Sequence, residues 1–284
     1  MGEEARENTY IIPAESAAEM ARLIDQDVAM TDVTGIFPDD VVPRANDRIL
    51  DVACGPGGWA RRVALEYPQT NVIGVDISHT MVSYANAYVQ AQQFHNIEFH
   101  EMNVLKPFPF ANASFHIVHA RFMVGFLDDS GWRHVLREMM RMLVPGGTII
   151  LTETDFFAIS NSLALEQYAQ LLYRAMYIRG FTHNPMMTNL GITPLLGAYL
   201  QQLGCQQIRQ QSHHFDVSFG VPAHHAWAEN MKVAIKLLQP LIVKYGIEER
   251  EKLDELYEKF LEDICADTFR NMSYSLRAWG QKPA

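Results

Sequence analysis

Between residues 46 and 155, short apolar runs alternate with segments in which apolar side chains recur every three or four positions. Runs of the first kind are strands buried on both faces and those of the second are crossover helices, so their alternation predicts a parallel sheet. The predicted strands are 48–53, 71–76, 97–99, 115–120 and 148–153. Trp132, Val135, Leu136, Met139, Met140 and Leu143 share one helical stripe, and Pro145-Gly146-Gly147 stops that helix. Upstream, Ser16 and Glu19 have the spacing of a capping box, which predicts a helix over about 16–30. Downstream, 161–204 reads as largely helical, 206–217 as strand-like, 222–270 as a helical insertion and 274–280 as a closing strand. Leu253, Leu256, Tyr257, Phe260, Leu261 and Ile264 give the insertion its apolar stripe, and its Glu and Lys residues form a solvated face.

Composition narrows the class. The 284 residues are 48% hydrophobic and 20% charged, which supports a sizeable core and argues against disorder. A net charge of −10 without a dense Lys/Arg run disfavours a nucleic-acid backbone binder or a polybasic membrane anchor. The polar start and the lack of an eighteen-residue apolar stretch predict a cytoplasmic protein with no membrane span. Cys54, Cys205 and Cys265 are expected as free thiols, since no CxxC pair occurs. No metal site is expected either: His213-His214 and His224-His225 are adjacent pairs, and neighbours on a strand point to opposite faces.

The chemistry lies in 50–60, where a strand enters Gly55-Pro56-Gly57-Gly58 and continues into a helix. Glycine there admits a ligand close to the backbone. Asp76 ends the next strand, where a carboxylate can accept both hydroxyl hydrogen bonds of an adenosine ribose. Gly55-x-Gly57-x-x-Ala60 also satisfies the loose dinucleotide fingerprint, so the glycines decide nothing alone. Asp51 discriminates: a carboxylate near the loop repels a pyrophosphate and favours a cationic ligand with an ammonium group.

Asp51, Gly55, Gly57, Gly58, Asp76 and Pro145-Gly146-Gly147 fall in an order that resembles the class I S-adenosylmethionine-dependent methyltransferases. A narrower likeness, to methyltransferases related to fungal secondary-metabolism regulators, rests on Tyr10-Ile11-Ile12-Pro13, Glu19-Met20-Ala21-Arg22-Leu23 and His119-Ala120-Arg121. The resemblance implies an α/β, Rossmann-like, seven-stranded, mostly parallel sheet with helices on both faces and an antiparallel last strand. N- and C-terminal helical additions would form a lid. It divides the chain into an arm and capping helix (1–45), a cofactor-binding core (46–155) and the rest of the sheet with acceptor-binding insertions (156–284), within one domain. The usual acid ending the third strand is Asn103 here, and the usual Phe-Asp opening the fourth is Phe115-His116.

S-adenosyl-L-methionine is the cofactor so implied. Ile77 and Val104 would sandwich its adenine, Asn103 would accept from N6, Tyr10 would close over the sulfonium, and Gln26 with Arg22, or Arg121, would reach the methionyl carboxylate. Ala53 and Met81 complete the expected wall. Candidate bases for a hydroxyl or amine acceptor are His119, Glu153 and His183. Met123, Met176, Met186 and Met187, with Tyr168, Tyr173, Tyr177 and Phe181, lie in segments expected to line an apolar acceptor pocket under a lid made by the arm and 156–204. The expected reaction is in-line O-, N- or C-methylation of a small organic acceptor, with a homodimer compatible. Two readings stay open beside it, a nicotinamide-dependent oxidoreductase and a non-catalytic S-adenosylmethionine-binding regulator.

Overall fold

In the computed structural model, which describes residues 9–155 and 159–284, the sheet forms around the predicted strands. They are β1 (Arg48–Val52), β2 (Asn71–Asp76), β3 (Ile97–Glu101), β4 (Phe115–Arg121) and β5 (Leu143–Glu153), followed by β6 (Ile159–Ser160), β7 (Gln206–Asp216) and β8 (Asn271–Gln281). Across the sheet the order is β3-β2-β1-β4-β5-β8-β7. The first five strands run parallel, and β8 lies antiparallel between β5 and β7. The expected seven strands are all present; the eighth, two-residue β6, pairs with the start of β8 through Ile159 and Met272.

Side-chain alternation divides the core into two layers. Leu50, Val52, Val118, Ala120, Ile149 and Leu151 pack against α4 (Asp129–Met142) and α5 (Leu163–Ile178). Ile49, Ile117 and Ile150 face Trp59, Val63 and Ala85 of α2 (Gly58–Glu66) and α3 (His79–Ala91) on the other side. The Pro145-Gly146-Gly147 turn lies within β5 as an irregularity: Phe115 pairs with Leu143, and regular pairing resumes at Ile117 with Thr148.

α1 (Ala17–Thr34) runs a turn beyond expectation. Its end is held from β8: the buried Arg277 donates to the carbonyls of Thr34 and Gly35, both at 2.8 Å. Only half of the capping box forms. Ser16 accepts from the Glu19 amide at 3.4 Å, while the Glu19 carboxylate turns into the protein. The 161–204 region is α5 and α6 (Thr193–Gln202), separated by an irregular segment, and Asp155 accepts from the amides of Ile192 and Thr193 at the start of α6. The 222–270 insertion is two helices, α7 (His224–Lys244) and α8 (Arg250–Cys265), and α7 packs on α1. Among the described residues no helix is long and apolar enough to cross a membrane, and the three cysteines are free thiols.

Candidate active site

A cleft of roughly 1030 Å³, continuous with solvent, opens at the carboxyl ends of β1, β2 and β4. This is where neighbouring connections leave the sheet in opposite directions and where open α/β sheets hold ligands. Its floor is Ala53 to Pro56 with Gly58, Asp76 and Ile77. Met81, Asn103 and Val104 form one flank, Arg121 and Phe122 the other, and Tyr10, Leu23, Gln26 and Asp27 the roof. The loop geometry depends on glycine at Gly57, which has φ +77° and whose added Cβ would lie 2.5 Å from the Phe99 ring.

Asp76 is fixed before any ligand arrives. Its Oδ2 accepts from the Gly55 amide at 2.8 Å and its Oδ1 from the Ser78 amide at 2.9 Å. Loss of solvation raises its pKa, opposed by those two N–H groups. Asn103 accepts from the Leu105 amide at 2.9 Å. Arg121, the cation among the described wall residues, is ion-paired with Asp27 and donates to Thr31 at 3.3 Å. Burial, with the nearby Arg277, lowers its pKa to about 9, so it stays charged at neutral pH. Tyr10 donates its hydroxyl to Glu19 at 2.7 Å; burial and the Glu19 charge raise its pKa far enough to keep it a phenol.

Several expected residues lie elsewhere. Asp51 is under the floor, 2.8 Å from Nδ1 of His119, which stacks on Trp59 with ring centroids 3.7 Å apart. Both point to the α2 side of the sheet, because 49, 51, 117 and 119 share that face. Gly57 shapes the loop without lining the cleft. Glu153 faces the opposite layer and accepts from the Met123 and Val124 amides at 2.6 and 3.4 Å. His183 sits 3.1 Å from Asp129, off the wall. None of the three candidate bases therefore touches the cleft. Arg22 is also unavailable, since Glu19 holds its guanidinium at 2.7 Å.

The proposed acceptor wall is corrected more broadly. Met123, Met176, Tyr168 and Tyr173 are core residues, Met186 and Tyr177 are exposed, Met187 packs against the core, and Phe181 lines a second cavity that shares Thr9, Leu105 and Phe126 with the cleft. Residues 159–204 contribute nothing to the main cleft, and 156–158 lie outside the described residues. The N-terminal arm does cover it. Thr9 donates to the Phe126 carbonyl at 2.8 Å, and Ser78 donates to the Ala14 carbonyl at 3.2 Å, so the arm bridges the two flanks.

Sequence reasoning missed Leu23, Asp27, Phe122 and Phe126. The first two had a signal: Leu23, Gln26 and Asp27 stand at i, i+3 and i+4 on one helix face. Phe122 had none, because it enters the cleft through a left-handed φ of +57° that local sequence does not announce.

Residues 49–147 match the family described as a methyltransferase domain. Methyltransferase str2 of Strobilurus tenacellus is 27% identical over 157 residues, covering 54% of this chain and 52% of that protein. Demethylmenaquinone methyltransferase of Lactococcus lactis subsp. lactis is 35% identical over 108 residues, covering 38% of this chain and 42% of that protein. The fold of phosphoethanolamine N-methyltransferase 2 of Haemonchus contortus, solved with S-adenosyl-L-methionine, matches with a TM-score of 0.55 at 17% identity, over 95% of this chain and 57% of that one. The chain thus spans about half the length, or less, of these curated relatives.

Proposed function

We infer that this chain, whose residues 49–147 match a methyltransferase-domain family, is a class I S-adenosylmethionine-dependent methyltransferase that transfers a methyl group to a small organic acceptor. The charge balance of the cleft wall carries this reading. Arg121, the one wall cation among the described residues, and Asp27 neutralise each other, which leaves Asp76 on the wall and Asp51 beneath it as the carboxylates no cation offsets. Such a wall repels a diphosphate and suits a ligand with an ammonium and a sulfonium. The donor set fits the cofactor as well. Asp76 keeps oxygen lone pairs for the ribose hydroxyls after accepting its two amides, and Ile77, Met81 and Val104 offer apolar side chains, and Asn103 an amide, to the adenine. Gln26 and Arg121 would meet the methionyl end.

When bound, S-adenosylmethionine supplies an electrophilic methyl group. The chain's residues supply position and dryness. Tyr10, Phe122 and Phe126 put aromatic surface against the cleft, and the arm covers part of it from solvent. Holding reactants in attack geometry contributes on the order of 7 to 11 kcal/mol in favourable cases. Since His119, Glu153 and His183 lie off the wall, the acceptors that suit this site are those needing no buried protein base: a carboxylate, a thiolate, a free amine or an activated carbon. The apolar and aromatic lining favours acceptors with an apolar body. The named acceptors of the relatives, a demethylmenaquinone and a phosphoethanolamine, show how widely acceptors differ among proteins sharing this domain or fold.

The test has two stages. Calorimetry should show binding of S-adenosylhomocysteine and none of NAD. A screen of small acceptors with methyl-labelled cofactor should then yield a labelled product. Binding of NAD instead would make the protein an oxidoreductase, and cofactor binding without transfer to any acceptor would leave it a regulator.

A further inference from the structure

Behind the roof of the cleft runs a chain of polar contacts, built on a buried ion pair, that the reaction itself does not use. Glu19 is fully buried and Arg22 almost so. Arg22 grips Glu19 with Nε on Oε2 and Nη2 on Oε1, both at 2.7 Å. Glu19 Oε1 also receives the Tyr10 hydroxyl, and Arg22 Nη1 donates to the Gln26 side-chain oxygen. From the far side, Asn230 of α7 accepts from Arg22 at 3.3 Å and returns a hydrogen bond to the Arg22 carbonyl at 2.8 Å. Two of these residues, Tyr10 and Gln26, line the cleft; Glu19, Arg22 and Asn230 do not.

We propose that Glu19, Arg22 and Asn230 are positioning residues that set the hydrogen-bonding polarity of the cleft's amino-acid end by fixing Tyr10 and Gln26. The inference rests on the cofactor assignment above. A carboxamide has one oxygen and one NH2 group, and a free Gln presents either to a ligand. With its oxygen turned towards Arg22, Gln26 presents its NH2 group away from that contact, a donor beside Arg121 where the ligand brings a carboxylate. Glu19 acts in parallel. Its carboxylate fixes the Tyr10 ring over the same end, and the bidentate Arg22 contact leaves that carboxylate little freedom to turn. Asn230 does not line the cleft and makes its two hydrogen bonds to Arg22, so its part is to hold Arg22 from behind, and through it the helical insertion between β7 and β8 bears on the cofactor site.

Adenosine and S-adenosylhomocysteine separate this role from general support of the fold, because adenosine has the ribose and adenine but lacks the amino-acid end. Asn230→Ala and Arg22→Lys should each weaken S-adenosylhomocysteine binding by roughly threefold to tenfold in calorimetry, the loss expected for about one hydrogen bond, with adenosine affinity unchanged within twofold. Tyr10→Phe, which removes only the hydroxyl, should show the same selectivity. Parallel weakening of both ligands, or no change in either, overturns the proposal. Should Arg22→Lys fail to fold, Asn230→Ala, at a half-buried position, decides the question by itself. A wild-type protein that binds neither ligand refutes the cofactor assignment itself, and the proposal falls with it.

Discussion

Asp76 has two backbone N–H groups bound to its carboxylate in the free protein, so little reorganisation is needed when a ribose arrives. Asp76→Ala should weaken S-adenosylhomocysteine binding by about 1 to 3 kcal/mol, measured by calorimetry on protein whose circular dichroism is unchanged. Glu153 behaves differently. Burial pushes its pKa up to about 8, against the two amides it accepts from. A carboxyl raised above its unfolded value near 4.5 stabilises the fold fully below that pH, and the contribution is lost as pH rises through about 8. Stability from urea titration should therefore decline by a few kcal/mol, roughly, over that window, and Glu153→Gln should flatten the decline. Asp76 is legible from sequence because strand, loop and carboxylate stand in fixed order. Glu153, His119 and Asp51 are not, for one reason: proximity to a strand's carboxyl end suggests exposure to the cleft, whereas the strand's two-residue period turns them into the layers on either side.

At the scale of elements, the parallel strands β1, β2 and β4 are legible because they are buried almost end to end and so read as near-continuous apolar runs, and the α4 stripe because its burial recurs every three or four residues. α1 is only half legible. Its buried face includes Glu19, Arg22, Thr31 and Thr34, so hydrophobicity does not mark the side that faces inward. Contacts made from α7 and β8, distant in sequence, show why those polar groups are buried. Local signals can still be tested within elements. Asp128 caps α4 by accepting from the Gly131 amide at 2.8 Å, and that bond holds its pKa below the ordinary carboxylate range. Asp128→Ala should cost about 1 kcal/mol of stability, read as a shift of the urea midpoint at unchanged slope. Gly57→Ala should cost more, roughly 1 to 3 kcal/mol, because a Cβ there meets Phe99 and the backbone is left-handed.

For the molecule as a whole, β8 is the strand on which the distant parts converge. It pairs with β5, β6 and β7, and its Arg277 reaches across to the end of α1. Arg277→Ala should lower stability by roughly 2 to 5 kcal/mol, since it opens a cavity and takes a donor from the Thr34 and Gly35 carbonyls; an unchanged denaturation midpoint would show that the tie to α1 is dispensable. Order of synthesis gives this arrangement a further meaning. β7 leaves the ribosome before the strand that joins it to β5 has been made, so the two sides of the sheet stay unlinked until residues 271–281 emerge. Nascent chains stalled short of that point should show a protease-resistant amino-terminal portion and an easily nicked remainder, with resistance gained abruptly once the final strand clears the exit tunnel.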